Sequence, residues 1–153
     1  MTKPRTHLTN YLVVPLLGDP GERTVRCQYF REDFSTVPPT WIVVNPGKLS
    51  THRHDMIYFR QPTAQEAAPY VPNQDTTLEL FAAVAKTRNA DCGMPNLMPA
   101  STRRLSVSVF PETNRSVILI FQRFEADGSF GELVATTDPD VQHGTDGSAL
   151  PDC

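Results

Sequence analysis

His52 and His54 stand two residues apart in the stretch Thr51–Phe59, THRHDMIYF. Residues two apart on a strand project from the same face. Two imidazoles placed that way can share one divalent transition metal, for which histidine is the commonest ligand near neutral pH. The same phase continues through Met56 and Tyr58, which makes this face a candidate lining of an interior. A metal needs a third ligand; Asp55 has the opposite phase, and His143 is the remaining downstream histidine. Cys92, between Asp91 and Gly93, is a candidate reactive thiol, a role that requires a neighbouring base to form the thiolate. A third chemistry is basic. Arg104 alternates with Leu105 and Val107, Phe110 shares its phase, and Arg103, Arg115 and Arg123 are near in sequence. Arginine and aromatic side chains on one sheet face can hold single-stranded nucleic acid by charge and stacking.

Preceded by Gly47, the histidine pair resembles the first motif of the cupin family, a glycine, then H-x-H, then a glutamate. That resemblance implies His52 and His54 as metal ligands in a small metal-dependent enzyme or small-molecule binder. It covers about a dozen residues, and Met56, Ile57, Tyr58 and Phe59 occupy the place of the glutamate. The second cupin motif, with its third histidine, has no counterpart. The HUH single-strand endonucleases also carry paired histidines on a strand, flanking a hydrophobic residue; here the middle residue is Arg53.

The remaining motifs of common enzymes are missing from the sequence. There is no phosphate-binding glycine loop, no G-x-S-x-G elbow, no H-E-x-x-H and no EF-hand loop. The three cysteines, Cys27, Cys92 and Cys153, have no C-x-x-C spacing, which disfavours a cysteine zinc site. Their odd count fits a reducing compartment. The apolar run Tyr11–Leu17 is too short to span a membrane, and no leader pattern is visible, so the expected location is cytoplasmic. A net charge of −3 and a pI near 5.7 weigh against a nucleic-acid binder, which carries a basic stripe.

The chain of 153 residues suits one domain with a substantial core. Its 14 prolines are close to double the usual share of about 5%. Proline breaks helices and central strands, which predicts short strands and structured loops. Strands are expected at 11–17, 23–30, 41–44, 54–60, 105–109, 117–121 and 130–136. Trp41–Val44 is apolar throughout and reads as buried on both faces. Asp127-Gly128 has the residue preference of a type I′ hairpin turn, joining the last two strands of a three-stranded meander. One helical turn is expected at 64–68. Thr76 and Glu79 have capping-box spacing, and Leu78, Phe81, Ala82 and Ala85 recur at helical intervals; this predicts the main helix over 76–88.

The expected architecture is α+β and β-dominated, with about seven short, mostly antiparallel strands in a sandwich or barrel-like sheet and one main helix over about 76–88. Residues 1–9 are expected to be a flexible N-terminus, 10–137 a single globular domain and 138–153 a flexible acidic tail. Missing catalytic sets, rigid proline loops and pairable strand edges favour a non-enzymatic binding or assembly protein. It would associate with itself or another protein, with no membrane, and a structural or accessory component of a viral or phage particle suits this build. The alternatives are a small cupin-like metal-dependent enzyme or small-molecule binder using His52 and His54, and nucleic-acid binding through the Arg104 sheet face.

Overall fold

The computed structural model describes residues 8–19, 21–45, 49–51, 56–86, 96–101, 103–108, 115–137 and 140–143. It is β-dominated, as expected, with two mostly antiparallel sheets and one short helix. The first sheet has the order β4-β3-β1-β6-β9, formed by Thr40–Val44 (β4), Cys27–Asp33 (β3), Leu8–Pro15 (β1), Met56–Arg60 (β6) and Arg104–Ser108 (β9). The second is built around β10 (Arg115–Phe124). On one side β10 pairs β7 (Leu78–Lys86), which in turn pairs β8 (Asn96–Pro99). On its other side it pairs β11 (Phe130–Thr136) and then β12 (Asp140–His143). Two short strands finish this sheet: β2 (Thr24–Val25) runs parallel to β11, and β5 (Leu49–Thr51) runs parallel to β12.

Period-two burial dictates how the sheets meet. Tyr11, Val13, Tyr29, Ile57, Phe59 and Leu105 of the first sheet pack in one cluster with Leu80, Val117, Leu119, Phe121 and Val134 of the second. This is a sandwich across one core. The chain switches sheets within a few residues at β2–β3 and at β5–β6. The outer face of the first sheet is covered too. Leu12, Val14 and Phe30 pack beneath Ala67 and Val71, which belong to the helix α1 (Ala64–Ala67) and the turn after it. A capping box starts that helix: the Thr63 hydroxyl accepts from the Glu66 N–H, and Glu66 accepts from the Thr63 N–H.

The main helix expected over 76–88 is instead β7, and the reason is visible in its pairing. Phe121 faces Leu80 and Ile120 faces Ala82, so Phe81 is an extra residue in a β-bulge. Across the bulge the inward phase passes from Leu78 and Leu80 to Ala83. A strand with one phase slip mimics the i, i+3, i+4 spacing of a helix, and eight residues of pairing with β10 override the helix propensity of Leu, Ala and Glu. Before β7, Asp75 Oδ1 accepts from the Thr77 N–H and hydroxyl, a local turn in place of the expected Thr76 cap.

Three further expectations are corrected. Trp41–Val44 is an edge strand, not one buried on both faces. β9 pairs β6 in the first sheet, so it is not part of a meander with β10 and β11. The hairpin at Asp127-Gly128 is a turn closed by the Gly128 N–H to the Glu125 carbonyl. Positive φ falls on Gly128 and not on Asp127, which excludes type I′. Leu8 belongs to β1, and Asp140–His143 form β12.

Gln61 ties the two sheets together where β6 ends. Its Nε2 donates to the Leu78 carbonyl at 2.7 Å, and its Oε1 accepts from the Leu80 N–H at 2.7 Å. The side-chain amide thus supplies β7 with the two bonds a neighbouring strand would make.

Candidate functional site

His52, His54, Cys92 and Cys153 lie outside the described residues. Next to the histidines, β6 turns Ile57 and Phe59 into the core. The Tyr58 and Arg60 phase therefore lies on the opposite side of the sheet, the side that α1 packs on, while the rest of the face expected to line an interior lies outside the described side chains. On that outer face Arg60 bonds Glu32 and Glu66. Among the described residues, no group of three or more His, Cys, Asp or Glu is placed to hold a metal ion. Cys27 is buried in the core.

The arginines do not form one sheet face. Arg104 is exposed on β9 of the first sheet, whereas Arg115 and Arg123 belong to β10 of the second. Arg123 is engaged within the fold, its Nη1 bonding Asp75 Oδ2 at 3.2 Å and its Nε lying 3.6 Å from Glu132. Arg103 has a backbone role. It adopts φ 62° in the tight turn before β9, and its carbonyl accepts from the Gln61 N–H at 2.9 Å. A non-glycine residue in this region carries a strain of about 1 kcal/mol. Arg103→Gly is accordingly expected to stabilise the fold by about 0.5–1 kcal/mol, read as a raised urea midpoint; a lowered midpoint would give the side chain a role that the turn does not explain.

A groove of about 630 Å³ opens between the β1–β2 loop and the start of β7. Its floor is Val25, Leu78 and Val134, and its polar wall is Asp75, Thr77 and Arg123. Those three bond one another, with Arg123 Nη1 donating to both Asp75 and Thr77. The polar groups of the wall are bonded to one another.

The sheet edges differ more sharply. At the β9 edge Arg104 is exposed and the strand contacts β7 and β8 of the other sheet. β2 has two residues, β5 three, and β8 ends in Pro99. Short strands, charge and proline all blunt an edge against pairing. Among the described residues no strand lies beyond β4, which runs Thr40-Trp41-Ile42-Val43-Val44 without a charge or a proline. The Ile42 and Val43 side chains, on opposite faces, are 40% and 63% exposed, and Phe34 and Val37 in the adjoining loop are 71% and 99% exposed. Four of the exposed large apolar residues thus share this hairpin, while Leu17, Tyr70, Phe81, Phe130 and Leu133 are exposed elsewhere.

The chain matches no family model and no curated protein.

The β3–β4 loop is held in shape by its own polar groups. The Ser35 hydroxyl and N–H donate to Asp33 Oδ1 at 2.6 and 2.9 Å. Thr36 Oγ1 donates to the Pro38 carbonyl at 3.0 Å and accepts from the Thr40 N–H at 3.1 Å. Phe34 and Val37 thus project from an ordered loop, which lowers the entropy cost of burying them against a partner. The Ser35 hydroxyl, then its N–H, hold the Asp33 carboxyl below its ordinary 3.8. A carboxylate with a lowered folded pKa contributes stability above its unfolded value and loses it as pH falls through the folded one. The hairpin tip is expected to stay locked until the pH falls below 3.8. An NMR titration of the Ser35 amide checks this, since a midpoint at or above that value would show that the two bonds do not persist in solution.

No sequence signal separated this site from the core. An unbroken apolar run marks β4 as it marks β10; what distinguishes it is position in the sheet.

Proposed function

We propose that this protein is a non-enzymatic binding and assembly module that self-associates, of the kind that builds or decorates a larger particle such as a viral or phage particle. The observation that carries the reading is the open, uncharged β4 edge with its apolar loop. An edge of this length is a template for another chain and is normally blunted in proteins that remain monomeric. Scattered exposed apolar residues are ordinary; four on one hairpin, beside a strand edge that has no partner strand among the described residues, favour an interaction surface.

Sedimentation over a range of concentrations tests the proposal. The unmodified protein is expected above monomer mass. Ile42→Lys with Val43→Lys is expected to weaken association at least about 100-fold, because charge at a paired edge opposes burial and like charges meet across the contact. Both side chains are exposed, so thermal stability should change little. A monomer at every concentration would remove the reading.

A further inference from the structure

We infer that the partner of the β4 edge is a second copy of this chain, paired antiparallel about a two-fold axis at Ile42. This rests on the assembly reading above and specifies its geometry. Consecutive residues of a strand direct their backbone N–H and C=O groups to opposite sides, and antiparallel partners must present theirs in the same sense. A strand that pairs with its own copy must therefore set each residue opposite one of equal phase. The two residue numbers in every pair then add to the same even value.

Centring on Ile42 is the register that uses all of β4 (Thr40–Val44). It sets Thr40 opposite the partner's Val44, Trp41 opposite the partner's Val43, and Ile42 opposite itself. Centring on Trp41 or Val43 pairs only three residues. The best register is also free of conflict. Residues 34–44, FSTVPPTWIVV, contain no ionisable side chain, so the two-fold brings no like charges together. Val43 faces Phe30 across the β3–β4 pair, and Trp41 packs on the same covered face. The cross-copy contacts of Trp41 and Val43 therefore extend the layer beneath α1, while Ile42 and Val44 extend the inner face. Two five-stranded sheets become one ten-stranded sheet, and the isologous contact closes on itself as a dimer.

Disulfide trapping tests the register. Cys92→Ser and Cys153→Ser leave buried Cys27 as the one native thiol, and each cysteine variant is oxidised with oxidised glutathione while sedimentation reports its mass. Residues directly opposite in an antiparallel pair have Cβ atoms about 4.5–5.5 Å apart, within relaxation of a disulfide. Thr40 lies four residues from its own copy, about 13 Å along the strand, beyond disulfide reach. Ile42→Cys alone is expected to give mostly covalent dimer, Thr40→Cys alone at least about fivefold less, and Thr40→Cys mixed with Val44→Cys a covalent dimer of the two variants. If the protein self-associates and Ile42→Cys does not crosslink, this two-fold is overturned and the assembly reading stands. If it stays monomeric and nothing crosslinks, both are overturned.

Discussion

Gln61→Met is expected to destabilise the protein by about 2–6 kcal/mol, because it removes the partners of two buried backbone groups at about 1–3 kcal/mol each. Methionine nearly preserves the volume, which isolates hydrogen bonding from cavity formation. The groups orphaned are the Leu78 carbonyl and the Leu80 N–H, both bonded to the Gln61 amide at 2.7 Å and both next to the bulge at Phe81. That end of β7 pairs β10 on one side and depends on Gln61 on the other. A loss of this size is a large share of a typical stability of 5–15 kcal/mol. Urea unfolding measures it; a loss under about 1 kcal/mol would mean that water or a backbone shift replaces the amide. Gln61→Glu adds a second check. A protonated carboxyl can donate to Leu78 and accept from Leu80 as glutamine does, whereas the carboxylate repels the carbonyl. This variant should therefore gain stability, relative to the unmodified protein, as the pH falls from neutral to weakly acidic.

The sequence carries T-x-x-E twice, at Thr63–Glu66 and at Thr76–Glu79, and the two copies show what local reading can reach. The first is a true capping box. The helix behind it is one turn long, and Pro69 and the Val71 contact end it and tuck it onto the sheet. The second precedes residues with better helix propensity, yet they form β7. Local preference there amounts to a few tenths of a kcal/mol per residue, and β10 offers a long-range ladder that outweighs it. Alternation was the dependable signal for β3 and β9, and the unbroken apolar run for β10. Asp140–His143 join the sheet through backbone pairing with β10 and β5, a contact that side-chain polarity does not mark. β4 is the most instructive case. Its uninterrupted apolar run reads as a strand covered on both faces, yet among the described residues Trp41 and Val44 are partly covered while Ile42 and Val43 stay exposed. Hydrophobic pattern records burial without recording whose atoms provide it, and for this strand the proposed answer is a second molecule.

Asp75 should separate turn formation from ion pairing at the entry to β7, the same end that Gln61 holds. Its carboxylate is buried; Oδ1 accepts from the Thr77 N–H at 3.0 Å and from the Thr77 hydroxyl at 2.6 Å, and Oδ2 accepts from Arg123 at 3.2 Å. Its own N–H donates to the Pro15 carbonyl at 2.8 Å, so the same residue fixes the entry to β7 against the end of β1. Removing one member of a fully buried pair costs about 3–5 kcal/mol. The Arg123 side chain is 31% exposed, and solvent screening reduces the cost of stranding it, which brings Asp75→Ala to about 2–3 kcal/mol. Asp75→Asn keeps a carbonyl oxygen for the Thr77 donors and loses the charge, so about 1 kcal/mol is expected. A double-mutant cycle with Arg123→Ala resolves the remainder. If the asparagine variant loses as much as alanine, the ion pair dominates and the turn is incidental. If the cycle shows no coupling, Arg123 is held by Thr77 and Glu132 instead, and the polar wall of the groove does not depend on Asp75.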